Sequence, residues 1–223
     1  MEDKNEGLRL LQLRFIGKIL AAFTHEIKNY ISIIKESAGL MGDMIKLGKK
    51  SGNEPGEYLE IIHSIEEYIE KTNDLFRYLN RFSHRMDTEI SSFNVNETLE
   101  ELMALLTRFA NQRKISLEKE FQKDIPSMNN NPAMLQFLVF HFLEEKLARL
   151  DKNSRLIIKT ESANGSTVIR IIPKGNLLDK DKDKDKDKEN FTYELQDNVI
   201  RQLGGNISLE KEETVISVPL TPS

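Results

Sequence analysis

Apolar residues in the first part of the chain recur at intervals of three and four, in two successive stretches. The first stretch comprises Ile16, Leu20, Phe23, Ile27, Tyr30, Ile34, Ala38, Met41 and Ile45, and the second comprises Tyr58, Ile62, Ile65, Ile69, Thr72, Phe76, Leu79, Phe82 and Met86. Such spacing places apolar side chains on one face of an α-helix. The intervening "KLGKKSGNEPGE", residues 46–57, carries glycines and a proline, which favour turns over helix interiors. The pattern predicts an antiparallel helical hairpin over residues 1–90.

Two amphipathic helices cannot cover all of their apolar surface by packing on each other alone. The stable solution is a four-helix bundle in which two chains each contribute one hairpin. We therefore expect a homodimer through residues 8–88.

After residue 90 the pattern becomes a mixture of helical and strand-like segments. Asn94 or Asn96 can cap a helix that runs to about Asn111. Further helices are predicted over 129–150 and 193–203, and strands over 115–121, 155–161, 166–172, 206–211 and 214–220. The sequence "SANG" between the second and third strands suits a tight hairpin turn. The fold class is therefore α+β, with a helical hairpin over 1–90 followed by an α/β sandwich over 91–223.

Composition and charge narrow the function further. The chain has 223 residues, a formal net charge of -4 and no cysteine, which excludes a disulfide framework and a thiolate zinc site. The acidic balance offers no basic field, so we expect protein partners, no nucleic acid and no membrane. The start "MEDKNEGLRL" lacks the features of a secretory signal and predicts a cytoplasmic location. The charged repeat "DKDKDKDKEN", residues 181–190, predicts a solvated, mobile loop.

The candidate chemistry lies in "FTHEIKNY", residues 23–30. His25 is about 200° around the helix from Phe23 and Ile27, so it points away from the apolar seam. A neutral imidazole leaves one ring nitrogen free as a nucleophile. Asn29 shares the face of His25, where its amide could hold a water, whereas Glu26 is about 100° away and its contact with the ring is not fixed by spacing. The other histidines are expected to have structural or surface roles: His63, His84 and His141.

The stretch "FTHEIKNYISII" resembles the phosphoacceptor segment of bacterial two-component histidine kinases, in which an acidic residue follows the histidine and an Asn or Thr stands at the fourth position. The later segments "FNVNETLEELMAL", "ISLEKEF", "NNPAMLQFLVFHFLEEKLARL" and "LGGNISL" are similar in order to the ATPase domain of these kinases. The second unit is therefore expected to be a histidine-kinase-ATPase-like α/β sandwich.

The resemblance also implies roles for individual residues. Glu26 would orient His25 or help remove its proton, and Asn29 would position water for attack on a phosphorylated aspartate. Thr24 and Lys28 would flank the phosphoryl group, although ordinary helix surface explains them as well. A response regulator receiver domain would dock on a face that contains Ala21, Ala22, Lys28, Ser32 and Ile33.

The nucleotide-binding positions depart from the family pattern. Where the family has asparagines that hold magnesium and phosphates, this chain has His141 and Glu145. The strand that should end in Asp-x-Gly carries Pro173 and Lys174, and only Gly175 remains. The lid and glycine-rich loop are replaced by "DKDKDKDKENFTYELQDN", which has no glycine. The implied protein keeps the ATPase fold without binding ATP.

This combination resembles bacterial histidine phosphotransferases built from a kinase-like hairpin and a degenerate ATPase domain. The hypothesis is a phosphotransferase in which His25 relays phosphoryl groups between response regulators, with no cofactor of its own and with magnesium supplied by the partner regulator. The alternatives are an atypical histidine kinase, for which "KGN" at 174–176 is the remaining sign, and a response regulator phosphatase or non-catalytic scaffold.

Overall fold

The computed structural model describes residues 2–48, 55–178, 197–210 and 212–221. Two long helices open the chain, α1 over Glu2–Gly48 and α2 over Pro55–His84. They pack along the predicted seams, where the ring centroids of Phe23 and Phe76 lie 5.2 Å apart. The two predicted helices are confirmed, and the connection at 49–54 lies outside the described residues.

Two further helices follow, α3 over Val95–Gln112 and α4 over Pro132–Arg149. Each begins at an asparagine cap. The Asn94 side chain accepts a hydrogen bond from the Glu97 backbone at 3.2 Å, and the Asn131 side chain accepts one from the Met134 backbone at 2.8 Å. Such caps satisfy backbone N–H groups that have no partner inside the helix. Of the two asparagines that could start α3, the structure selects Asn94.

The strands form one large sheet and one small one. Within the described residues the strands are β1 (Ser91–Phe93), β2 (Ser116–Phe121), β3 (Met128–Asn130), β4 (Arg155–Ala163), β5 (Ser166–Lys174), β6 (Asn206–Glu210) and β7 (Glu213–Pro219). The main sheet has the order β2-β4-β5-β7-β6, with β2 parallel to β4 and the other neighbours antiparallel. β1 and β3 form a separate antiparallel pair. The mixed α+β class is confirmed.

The turn between β4 and β5 follows from its sequence. Asn164 and Gly165 both adopt positive φ, at 51° and 75°. Asparagine and glycine tolerate this conformation, which matches the twist of a two-residue hairpin. Residues 197–202 are helical, in agreement with the end of the last predicted helix, whose start and the charged repeat before it lie outside the described residues.

The first helix also packs against the α/β part of the molecule. Phe15 is 2% exposed, and its ring lies 5.5 Å from that of Phe82 on α2 and 5.8 and 4.7 Å from those of Phe137 and Phe140 on α4. The apolar pattern of the hairpin did not predict this contact, because Phe15 is not part of the series of apolar residues on α1 that was expected to face α2. One apolar core therefore runs from the hairpin into the sandwich.

Other apolar side chains of the hairpin remain open to solvent. Leu20, Ile62, Ile69 and Phe76 are 45%, 38%, 44% and 52% exposed. Three of them, on α2, are spaced by seven residues, which places them along one stripe. Within the described ranges, no helix combines the length and apolarity that crossing a membrane requires.

Candidate functional site

His25 lies on the solvent-exposed face of α1, and Asn29 lies one helical turn beyond it. The amide nitrogen of Asn29 is 3.2 Å from Nδ1 of His25. Residues four apart on a helix are neighbours, so the local fold alone brings this pair together. The contact occupies Nδ1 and leaves Nε2 as the ring nitrogen that another molecule can reach.

Glu26 is turned away from His25. Its carboxylate accepts a hydrogen bond from Tyr30, and the pKa of Tyr30 is raised to about 12 by burial and then by the Glu26 charge. Both residues line a cleft of about 180 Å³ enclosed by α1, α2 and α3. The structure therefore brings Asn29 to the His25 ring and places the Glu26 carboxylate elsewhere.

The cleft contains charged residues that the sequence did not single out. Arg108, from α3, donates a hydrogen bond from Nη1 to the carbonyl oxygen of Ala21 at 3.2 Å. Its Nε is buried without a hydrogen-bond partner in the described part of the chain. Lys71 and Asp74 of α2 complete the polar lining. No local motif marks Arg108, because its role comes from the packing of α3 on α1.

The predicted docking face is only partly accessible. Ala21, Lys28 and Ser32 are exposed, and Ile33 is half-buried. Ala22 is 1% exposed and lines the cleft against α3, so the prediction that it contributes to a docking face is wrong for this arrangement. The physical reason is that α3 covers the side of α1 that carries Ala22.

Thr24 and Ser32 are bonded within α1 itself. The Thr24 hydroxyl donates to the Leu20 carbonyl at 2.8 Å, and the Ser32 hydroxyl donates to the Lys28 carbonyl at 2.9 Å. These contacts are ordinary for hydroxyl side chains on a helix. They agree with the interpretation of Thr24 as helix surface.

His141 is packed into the junction between α4 and α1. Its ring centroid lies 4.6 Å from that of Phe137 and 5.7 Å from that of Phe140. Burial lowers the pKa of His141, while the Glu144 charge raises it and the Lys18 charge lowers it. Its Nε2 is buried with no hydrogen-bond partner among the described residues. The side chain thus has a structural environment, as the sequence predicts.

The chain also makes contacts with itself around Glu145, another position where the family pattern has a nucleotide-binding residue. The Glu145 carboxylate lies 3.4 Å from Nη1 of Arg149, whose Nε donates to the Leu178 carbonyl at 3.3 Å. The Leu178 backbone N–H donates to the Arg149 carbonyl at 2.9 Å, so the chain after β5 closes on the end of α4. Glu145 and His141 therefore both contact neighbouring residues of this chain.

Gly175 is explained by packing rather than by a ligand. Its φ is 150°, and a Cβ atom placed on it would approach Oγ of Ser154 to 2.1 Å. The preceding Pro173 lies in β5, opposite Leu156 of β4. In the described ranges, no group of three or more His, Asp or Glu residues is arranged to hold a metal ion.

Comparisons with known proteins connect the chain to histidine kinases. No family model matches it. It is 22% identical over 160 residues to the cell-division control histidine kinase PdhS of Brucella canis, and it has the same identity to PdhS of Brucella anthropi. In each case the match covers 71% of this chain and 15% of the relative, so the chain corresponds to a small part of those proteins.

Solved structures of histidine kinases share the fold. The catalytic domain of histidine kinase ThkA matches with a TM-score of 0.52 and 15% identity, over 61% of this chain and all of that domain. Histidine kinase AdeS of Acinetobacter baumannii matches with a TM-score of 0.50 and 13% identity, over 88% of this chain and 98% of that one. The chain is thus histidine-kinase-like, with a helical region followed by the ATPase fold. The relatives and structural neighbours named here are histidine kinases.

Proposed function

We propose that this histidine-kinase-like protein acts in two-component signalling, where His25 exchanges a phosphoryl group with the aspartate of a response regulator receiver domain. The observation that carries the proposal is the exposed His25 ring with Asn29 at its Nδ1. Exposure lets a protein partner reach Nε2, and the rigid helix holds the ring in place. The similarity to PdhS supports the signalling class.

In the transfer step, the reacting groups are the His25 imidazole of this chain and the phosphorylated aspartate of the receiver domain. The lone pair of Nε2 attacks phosphorus, the N–P bond forms, and the P–O bond to the aspartate breaks as its electron pair returns to the carboxylate. Magnesium held by the receiver domain would neutralise the phosphoryl oxygens. Its docking face on this chain comprises Ala21, Lys28, Ser32 and Ile33.

We further propose that the phosphoryl group does not come from ATP. The Nε2 atom of His141 is buried, Glu145 is paired with Arg149, and the chain after β5 is hydrogen-bonded to the end of α4. These positions carry an imidazole and an arginine-paired carboxylate where the family has amide groups. The α/β part then serves as a packed support for the hairpin.

The second candidate is an atypical histidine kinase. It is favoured by the comparisons, since both the named relatives and the structural neighbours are histidine kinases. In that case the α/β part would bind nucleotide through residues that differ from the usual set. Binding of magnesium-ATP, measured by calorimetry, separates the two candidates.

A second copy of this chain is the proposed partner of the hairpin. The exposed stripe of Ile62, Ile69 and Phe76 on α2, together with Leu20 on α1, is apolar enough to pack against an identical hairpin. Burial of such side chains stabilises an assembly by about 25 cal/mol per Å² of apolar surface. The expected assembly is a homodimeric four-helix bundle.

The direct test is transfer from receiver domains that carry a radioactive phosphoryl group. We expect label that is stable to base and labile to acid to appear on the parent and on His63→Ala, and to be absent from His25→Ala. His63 is a matched control because it is also an exposed histidine, on α2. Equal labelling of parent and His25→Ala would refute the proposal.

A further inference from the structure

We propose that Asn29 is a positioning residue that sets the tautomer of His25, and that rotation of its amide makes Nε2 nucleophilic. This inference rests on the proposed function. It starts from the contact of 3.2 Å between Nδ1 of His25 and the amide nitrogen of Asn29.

A neutral imidazole carries one proton, so one ring nitrogen donates a hydrogen bond and the other accepts. When the Asn29 amide nitrogen donates to Nδ1 across this contact, Nδ1 must offer its lone pair. The ring proton consequently lies on Nε2. In this tautomer the outward nitrogen has no lone pair in the ring plane for attack on phosphorus.

A half-turn of the Asn29 amide exchanges its nitrogen and oxygen at nearly the same positions. The oxygen then accepts the proton of Nδ1, and Nε2 carries the free lone pair. Asn29 is exposed, so the half-turn meets no packed neighbour. During transfer the N–P bond forms at Nε2, the P–O bond of the aspartyl phosphate breaks, and the Nδ1 proton stays in its bond to the amide oxygen.

Glu26 does not perform this role in the structure. Its carboxylate is bonded to Tyr30 and lies in the cleft beside Arg108, on another side of α1. A carboxylate at Nδ1 would hold a single tautomer, because it can only accept a hydrogen bond. An amide can hold either tautomer, so the Asn29 contact allows a resting and an attacking form.

The same chain provides a reference with a fixed tautomer. Nδ1 of His84 lies 2.7 Å from the Asp87 carboxylate, which requires the proton on Nδ1. His84 is exposed, like His25. The nitrogen signals of the His84 ring therefore serve as a reference for the His25 ring when a hydrogen-bond acceptor faces its Nδ1.

The experiment is long-range proton–nitrogen NMR on the 223-residue chain labelled with ¹⁵N-histidine, at a pH where neutral imidazole predominates. The parent should show His25 with the pyrrole-type signal on Nε2. In Asn29→Asp the pyrrole-type signal should move to Nδ1 and match His84, while the His84 signals stay unchanged. Asn29→Ala should lose the tautomer preference imposed by the amide and give an averaged pair of signals.

A second measurement uses phosphoramidate, a small donor whose P–N bond breaks as the imidazole attacks and ammonia leaves. Phosphoramidate should phosphorylate His25 severalfold faster in Asn29→Asp than in Asn29→Ala. Phosphorus NMR measures both rates. An unchanged His25 tautomer across the three proteins would overturn the inference, as would equal labelling rates. If the tautomer shifts as expected but no receiver domain labels the parent, the proposed function fails while the control of the tautomer by Asn29 stands.

Discussion

The helical hairpin and the α/β part of the molecule differ in how many of their large apolar side chains are exposed to solvent. In the α/β part, the exposed large apolar side chains in the described ranges are Leu178 and Leu209. The hairpin exposes many more, including Leu20 and the stripe of Ile62, Ile69 and Phe76 on α2. In the described ranges, the α/β part thus buries nearly all of its large apolar side chains, whereas the hairpin has one covered side and one side on which large apolar side chains are exposed.

The largest expected effect is on association of two copies, when a charge is placed on the exposed apolar stripe of the hairpin. Ile69→Glu places a carboxylate on the proposed seam between two copies, and burying it without a partner costs several kcal/mol. We expect association to weaken by at least about a hundredfold. Light scattering or sedimentation across a concentration series measures this change.

Leu209→Glu is the matched control, because Leu209 is 57% exposed on β6 and lies outside the hairpin. It should leave the oligomeric state unchanged. A parent protein that stays monomeric at all concentrations would remove the basis for the dimer.

The packing of the covered side of the hairpin depends on Phe15, whose ring contacts Phe82 on α2 and Phe140 on α4. Phe15→Ala should lower the free energy of unfolding by about 3–5 kcal/mol, because it deletes a fully buried aromatic ring. Urea unfolding followed by circular dichroism gives the value. A loss below about 1 kcal/mol would show that α1 does not depend on α4 for packing.

A buried ion pair connects the end of α2 to the α/β part. Arg85 Nη2 lies 3.0 Å from a carboxylate oxygen of Glu101, whose side chain has no exposed surface. Arg85→Met leaves that carboxylate without its cation and should destabilise the protein by about 3–5 kcal/mol.

Arg77→Met provides the comparison, since Arg77 pairs with Asp74 on the exposed surface of α2. Its expected cost is below about 1 kcal/mol. Equal losses in the two variants, measured by the same urea titration, would mean that burial does not distinguish these pairs.

The smallest expected effect is a pH dependence at the contact between α1 and α4. Burial holds the pKa of His141 below its ordinary value, so the unfolded chain binds this proton more readily than the folded one. Stability should therefore be full above about pH 6.5 and fall as the pH decreases below it. Lys18 and Glu144 face the ring and bond to each other, so they contribute to the same profile.

The measurement compares unfolding free energies of the parent and His141→Leu between neutral and mildly acidic pH. The parent should lose more stability than the variant as the pH falls. If the unfolding free energies of the two proteins fall equally with pH, the acid sensitivity comes from groups other than His141.

The sequence predicted the elements that depend on local chemistry. The two helical seams, the Asn-Gly turn and the main strands are present, because periodicity and turn residues act over short distances. β1 and β3 were missed, since three residues each are too few to show a pattern. The burial of Ala22 was missed because it depends on α3, which is remote in sequence.

The candidate site shows the same division. The placement of Asn29 on the face of His25 follows from helical spacing and was predicted, but its contact with the His25 ring was not. The interaction of Glu26 with Tyr30 was also missed, because it depends on the cleft between three helices. Arg108 carries no local signal, because its contact with the Ala21 carbonyl arises from tertiary packing.

The most direct test of the account is the source of the phosphoryl group on His25. One preparation of the full chain is incubated with γ-labelled magnesium-ATP, and the same preparation is incubated with labelled receiver domains, each alongside His25→Ala. The account predicts label on His25 from a receiver domain and none from ATP. Label on His25 from ATP would contradict it and establish the atypical kinase.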